Sequence, residues 1–241
     1  MHSMRHLAAI AVVASLAFPA RVSSQHVEKE LVASISGPAI DHGVVSEILW
    51  DGGTLLIQSV ARDPDGQLSA RYFTTPGPRM AVRPLAAAPP DAERYWRMKA
   101  SRISPTGLGR ITNASDAKMP MFGVGSLERR MMDAVDMGGI EVTYELRLGR
   151  LTLHTRRQIE PYDGEVWSWS PPALNRIAYV DGKGDLWIAR ADGSKSERVA
   201  RGAFTLPAWS QDGLVLAVVE RKDGGGRWDV SVIHLPQKFR D

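Results

Sequence analysis

The chain has 241 residues, of which 44% are hydrophobic and 24% charged, the ordinary balance of a soluble globular protein. This balance excludes a disordered, collagen-like or membrane-embedded chain. The sequence has 30 basic and 27 acidic residues, and two of the basic ones, Arg5 and Arg21, lie in a segment that we expect to be removed. The mature chain then carries about +1, which argues against nucleic acid as a main partner. Cysteine is absent, which excludes disulfides, thiolate metal sites and cysteine nucleophiles.

Residues 1–24 are predicted to form a secretory signal peptide. Arg5 precedes the uninterrupted apolar run Leu7–Phe18, and the small residues of Val22-Ser23-Ser24 fit a cleavage site. This apolar run spans about 18 Å as a helix, whereas the hydrocarbon core of a bilayer is about 30 Å thick. We therefore expect a secreted or periplasmic protein with no membrane span after cleavage. An uncleaved anchor and a buried helix are the alternatives.

Residues 25–160 are predicted to form a β-rich region. The apolar stretches Val44–Trp50 and Thr54–Val60 flank Asp51-Gly52-Gly53, a pattern typical of a hairpin, and a third strand is predicted over Gln67–Thr74. Five prolines between residues 76 and 92 exclude a central strand, so this stretch is predicted to be a linker or long loop. The following Tyr95-Trp96-Arg97-Met98 fits either a short strand or a helical turn.

One short helix is predicted over residues 126–137. Leu127, Met131 and Val135 recur at helical spacing, Ser126 is a suitable N-terminal cap, and Gly138 is suited to end the helix.

A second hairpin is predicted from the strands Ile140–Leu148 and Leu151–Gln158, which are joined by a two-residue turn. With Leu148 opposite Leu151, Glu145 is predicted to face His154. A solvent-exposed ion pair is the favoured interpretation of these two side chains, and a catalytic pair is the alternative.

The C-terminal part contains two similar segments. Trp169-Ser170-Pro171 is followed by the strand Arg176–Val180, and Trp209-Ser210-Gln211-Asp212-Gly213 is followed by the strand Val215–Val219. The two tryptophans are 40 residues apart, the length of one four-stranded propeller blade. Each segment continues into another strand, over residues 185–189 and 228–233, and Asp192-Gly193 turns the chain toward residues 197–200.

This pattern resembles the WD-like repeat of TolB-type β-propellers over residues 165–235. That repeat runs Trp-Ser-Pro-Asp-Gly, then a strand ending Ile-Ala-Tyr, then a strand of the Asp-Leu-Trp-Ile type and Asp-Gly; here Ile177-Ala178-Tyr179 and Asp185-Leu186-Trp187-Ile188 fit it. The resemblance implies that the tryptophans pack between blades and that Asp-Gly supplies tight turns. The repeat positions are Trp169, Trp187, Trp209, Asp192, Gly193, Asp212 and Gly213.

The predicted fold class is all-β with one short helix, built from propeller-like antiparallel four-stranded blades in an incomplete or irregular propeller. Residues 161–241 supply two repeats, whereas a closed propeller has four to eight blades. Trp50-Asp51-Gly52-Gly53 is compatible with a third, degenerate repeat. An unrelated β domain in residues 25–160 is slightly favoured over further degenerate blades.

The final strand, Asp229–Leu235, is predicted to be paired, because unprotected strand edges recruit other chains. In TolB-like propellers an N-terminal strand often closes the last blade. Here Val44–Trp50 or Thr54–Val60 is expected to do so, with a partner protein as the alternative.

The sequence predicts no catalytic residue, cofactor or metal site. No serine-hydrolase elbow, phosphate-binding loop or zinc motif is present. Asp181, Asp185 and Asp192 are near one another and compatible with a Ca²⁺ loop, but turn formation explains them better.

Two functions are considered. The first is a non-catalytic protein that mediates protein–protein interaction in the cell envelope. The alternative is a propeller fragment related to the N-terminal domain of prolyl-oligopeptidase-type serine peptidases, without the hydrolase domain. A continuation past Asp241 with a Gly-x-Ser-x-Gly motif would favour the peptidase, and a natural stop there would favour the binding protein.

Overall fold

The computed structural model describes residues 27–40, 43–75, 81–113, 141–158, 166–222 and 226–240. In chain order the elements of the first half are β1 (Glu28–Ser36), a 3₁₀ helix (Gly37–Ile40), β2 (Val44–Asp51), β3 (Thr54–Arg62), β4 (Leu68–Thr75), β5 (Arg83–Leu85), α1 (Ala92–Ala100) and β6 (Ile111–Asn113). Those of the second half are β7 (Glu141–Leu148), β8 (Leu151–Gln158), β9 (Trp167–Trp169), β10 (Arg176–Val180), β11 (Leu186–Arg190), β12 (Ser196–Ala200), β13 (Phe204–Trp209), β14 (Val215–Lys222), β15 (Arg227–His234) and a 3₁₀ helix (Gln237–Phe239).

Four antiparallel sheets form a four-blade β-propeller. Blade 1 is β2-β3-β4-β5, blade 2 is β6-β7-β8, blade 3 is β9-β10-β11-β12, and blade 4 is β13-β14-β15-β1. The predicted all-β fold with antiparallel blades is confirmed. The propeller is irregular, because blade 2 has three strands within the described residues and β5 has only three residues.

Blade 4 is closed by the N-terminal strand. β1 pairs antiparallel with β15, from Glu28 opposite His234 to Ser36 opposite Arg227. The prediction that the N-terminal region pairs with the last strand is therefore confirmed. The prediction of which strand does so is wrong. Val44–Trp50 and Thr54–Val60 pair with each other in blade 1, and Thr54–Val60 also pairs with β4, so both of its edges are used. Val44–Trp50 is the inner strand of blade 1 and contacts β13, not β15.

Helix α1 takes the position that an inner strand occupies in the other blades. The first strands of blades 1, 3 and 4 lie at the centre, where β13 contacts both β2 and β9. α1 also contacts both β2 and β9, and so completes the ring around the axis. The helix covers the ambiguous Tyr95–Met98 stretch, and the predicted helix over residues 126–137 lies outside the described residues.

The hydrophobic core is divided into layers between neighbouring blades. One layer joins blades 1 and 4, a second joins blades 3 and 4, and a third joins blades 2 and 3. On its other face blade 1 packs against α1 through Leu49, Leu56, Tyr72 and Trp96. These layers favour further degenerate blades over an unrelated preceding domain, and the boundaries at residues 24 and 160 stay predictions from the sequence.

The proline-rich stretch contributes a strand. β5 lies within the predicted linker and pairs with β4, with Pro84 opposite Phe73. This position is an outer edge, where a proline does not interrupt a ladder of hydrogen bonds on both sides. Among the described residues, no helix is both long enough and apolar enough to cross a bilayer.

Candidate functional site

The repeat tryptophans hold the blades together. Trp169 and Trp209 end the inner strands β9 and β13 and are buried, and Trp50 lies near the end of β2, where its Nε1 donates to the carbonyl oxygen of Ala208 at 3.0 Å. The Trp169 Nε1 donates to the carbonyl oxygen of Ser101 at 2.6 Å. Three of the four central elements thus carry a tryptophan at an equivalent place, which supports the degenerate repeat at Trp50.

Trp187 differs from the other two repeat tryptophans because it is only half-buried. Its ring stacks on Tyr179 with centroids 6.4 Å apart, and its Nε1 donates to Asp181 Oδ2 at 2.9 Å. The guanidinium of Arg198 lies 5.6 Å from its ring centroid. Trp187 therefore packs against the core layer that joins blades 2 and 3 and keeps partial access to solvent.

The Asp-Gly positions form tight turns. Asp192 accepts a hydrogen bond from the Ser194 amide at 2.8 Å, and Asp212 accepts from the Ser210 hydroxyl at 2.5 Å and the Leu214 amide at 3.0 Å. Hydrogen bonds from the neighbouring serines, Ser194 and Ser210, lower the pKa of Asp192 and Asp212, since they stabilise the charged carboxylates.

The two turn glycines, Gly193 and Gly213, have φ angles of 76° and 71°. A Cβ on Gly193 would lie 2.4 Å from the carbonyl oxygen of Leu148, so this glycine also allows blades 2 and 3 to approach.

The candidate Ca²⁺ aspartates are used within turns. Asp181 Oδ1 accepts from the amides of Lys183 and Asp185 at 2.9 and 3.0 Å. Asp185 accepts from the Arg198 guanidinium at 3.2 Å. In the part of the chain that the structure describes, no three acidic or histidine side chains are grouped so as to hold a metal ion.

Glu145 and His154 do not face each other. A register shift between Leu146 and Arg147 places Glu145 opposite Thr155, and His154 opposite Leu146. A bulge of one residue reverses the face on which all later side chains lie, which is why the predicted pairing is wrong.

The environments of the two side chains also differ. His154 is buried, not solvent-exposed as expected, and its Nδ1 donates to the carbonyl oxygen of Val180 at 2.8 Å. Glu145 instead bonds to Arg147 at 2.5 Å and to Thr152 at 3.0 Å, and these contacts lower its pKa. The geometry offers no catalytic pair here.

A buried ion pair fixes α1 against blade 1. Ala92, Trp96 and Lys99 are the buried residues of the helix and lie on one face at helical spacing. The ammonium of Lys99 binds Glu47 Oε1 on β2 and donates to the carbonyl oxygen of Ile48 at 3.2 Å. The Lys99 and Glu47 side chains are 5% and 1% exposed. Sequence reasoning missed this pair because its partners lie 52 residues apart.

The opposite face of α1 lines a groove, which we call the α1 groove. Its walls are the exposed side of the helix and the loop over residues 101–105, and its volume is about 700 Å³. The lining side chains include Arg94, Arg97, Met98, Ile103 and Pro105.

Large exposed apolar side chains are concentrated in and beside the groove, with Met98 and Ile103 in its lining. Of the five described large hydrophobic residues that are exposed, three lie between residues 98 and 108: Met98 at 52%, Ile103 at 44% and Leu108 at 66%. Clusters of exposed apolar side chains mark interaction surfaces, whereas isolated ones do not. The sequence places a basic and an apolar residue side by side at Arg97-Met98. This pair points to an interaction surface only when the structure shows that both side chains lie on the exposed face of α1.

The charged side chains that line the groove are Arg94, Arg97 and Glu93. Within the described residues Arg94 forms no ion pair and lies over Tyr95. Arg102 and Arg110, beside the lining, also form no described ion pair, and Arg102 lies over Trp167. Arg97 pairs with Glu93 at 3.0 Å. Arginine next to exposed apolar groups is the composition enriched at protein interfaces.

Compared with protein-family models and with curated proteins, the sequence matches none of them. The four-blade arrangement therefore comes from the structure, and the resemblance to TolB-type repeats remains a prediction from the motifs at Trp169 and Trp209.

Proposed function

We infer that this chain is a non-catalytic propeller protein, exported to the periplasm or outside the cell, that mediates protein–protein interaction in the cell envelope. A propeller of small blades fits an interaction role, because it presents loops and edges on a rigid scaffold. The signal-like segment supports export, and the repeat motifs support an envelope role by resemblance.

The α1 groove is the observation that carries the interaction role. Met98 and Ile103 are exposed in a concavity beside the inner strands, where a partner's side chain would bury them. Burial of apolar surface contributes about 25 cal/mol per Å², which makes such a surface favourable to cover.

The test is quantitative capture of partners from an envelope extract of the source organism by the mature protein. A specific partner should be enriched saturably, should bind again as a purified protein, and should be lost with the double variant Met98→Ser/Ile103→Ser. The matched control is Leu31→Ser/Leu214→Ser, which alters two other exposed leucines, at 42% and 46%, on blade 4.

The control variant should keep the partner. Absence of any partner that rebinds as a purified protein, or equal loss with both double variants, would overturn the proposal. Export is tested separately by intact-mass measurement, in which a retained Met1 would contradict cleavage after Ser24.

A further inference from the structure

We propose that the α1 groove recognises an acidic segment of a partner protein that carries a large apolar side chain. This inference rests on the proposed function and adds the chemistry of the partner to it.

The charged side chains of the groove favour a partner segment of negative charge. The lining has Arg94 and Arg97 against Glu93, and the adjoining residues add Arg102 and Arg110 against Asp91. Lys99 is neutralised by Glu47 in the core. Of the arginines only Arg97 has a described acidic partner. An acidic segment would supply the missing carboxylates, and each arginine can bind one bidentately.

The shape of the groove selects a peptide segment. The groove is open to solvent, has a volume of about 700 Å³, which leaves room for a peptide side chain, and is lined by Met98 and Ile103. A concave apolar site takes up a partner's side chain, whereas a lipid surface is bound by apolar side chains that protrude. Methionine adapts to different apolar shapes, so the site suits one large side chain without demanding a particular one.

The same charges argue against a second copy of this chain. In a two-fold dimer formed through this surface each groove would meet its own counterpart, which would place Arg94 and Arg97 near arginines of the same kind. Like charges across an interface are unfavourable, and nothing acidic in the groove except Glu93 would offset them.

Selection from a random linear peptide library displayed on phage tests the recognition chemistry directly, with the mature protein as bait. The enriched peptides should combine several acidic residues with at least one large apolar residue. Their affinity should fall about tenfold or more with Met98→Ser/Ile103→Ser and with Arg94→Glu/Arg97→Glu.

The matched control for charge is Arg201→Glu/Arg221→Glu, which makes the same change of net charge at exposed arginines elsewhere. This variant should bind the selected peptides as the unchanged protein does. Binding should weaken in 1 M salt, where the screening length is about 3 Å instead of about 10 Å at 0.1 M.

Enrichment of neutral or basic peptides, or equal weakening by both charge variants, would overturn the inference. So would groove-dependent flotation with vesicles of equal parts phosphatidylcholine and phosphatidylglycerol in the absence of peptide enrichment, which would assign the groove to a lipid surface. Groove-dependent dimers in analytical ultracentrifugation would assign it to a second copy. An envelope partner that is captured but unaffected by Arg94→Glu/Arg97→Glu would refute the acidic recognition and leave the proposed function standing.

Discussion

Replacing Lys99 by methionine tests whether the buried ion pair holds α1 at the centre of the propeller. Methionine keeps the length of the side chain and removes its charge. Glu47 then retains one described donor, the Ile48 amide at 3.0 Å, and at 1% exposure its carboxylate cannot regain water. Removing one partner of a buried pair costs about 3–5 kcal/mol. That cost is a large part of the roughly 5–15 kcal/mol that stabilises a typical domain.

Urea unfolding followed by tryptophan fluorescence measures this loss, as a shift of the midpoint at unchanged slope. The control on the same helix is Arg97→Met, which breaks the exposed pair with Glu93 and should cost only about 0.3–0.5 kcal/mol. The double variant Glu47→Leu/Lys99→Met should recover most of the lost stability, because an apolar pair needs no compensating charge. If Lys99→Met lost no more stability than Arg97→Met, the buried pair would not hold the helix.

Trp209→Ala should lower the free energy of unfolding by about 3–5 kcal/mol in the same urea assay, because it empties a buried site between blades 3 and 4. An unchanged urea midpoint would contradict this role. His154→Ala should cost about 1–3 kcal/mol, since it leaves the buried carbonyl of Val180 without this donor; a change near zero would place the side chain in solvent. The lowered folded-state pKa of Asp212 contributes stability above the unfolded pKa of about 3.9, and this contribution is lost as the pH falls through the folded value. Asp212→Asn should therefore reduce the loss of stability on acidification in urea titrations, and an identical acid limb in both proteins would contradict the assignment.

The blades with regular local patterns could be predicted from the sequence. The repeats at Trp169 and Trp209 mark strands of blades 3 and 4, and the alternation in residues 140–148 marks β7, because these signals lie within short stretches of chain. The strands β2 and β3 of blade 1 were predicted from their hairpin turn at Asp51-Gly52-Gly53 for the same reason, whereas β5 lies in the stretch predicted to be a linker.

The remaining features depend on contacts distant in the chain. β1 begins with Glu28-Lys29-Glu30, a charged run without the residues that favour strands. Its strand conformation depends on the hydrogen bonds that it forms with β15, which is distant in the chain. The bulge beside Leu146 adds one residue to one strand only, and the alternation of the hairpin does not show it. The burial of Lys99 is explained only by Glu47 on another element.

The two faces of α1 have connected roles. A helix of nine residues is too short to be stable alone in water, so its conformation depends on the packing of Trp96 and on the ion pair of Lys99. The same packing holds Met98 and Arg94 at a fixed position beside the inner strands. A loop in this place would have to be ordered by the partner, at about 0.5–1.5 kcal/mol for each side chain immobilised. Because α1 is ordered before the partner arrives, the helix that interrupts the strand pattern of the propeller also provides a preorganised binding surface.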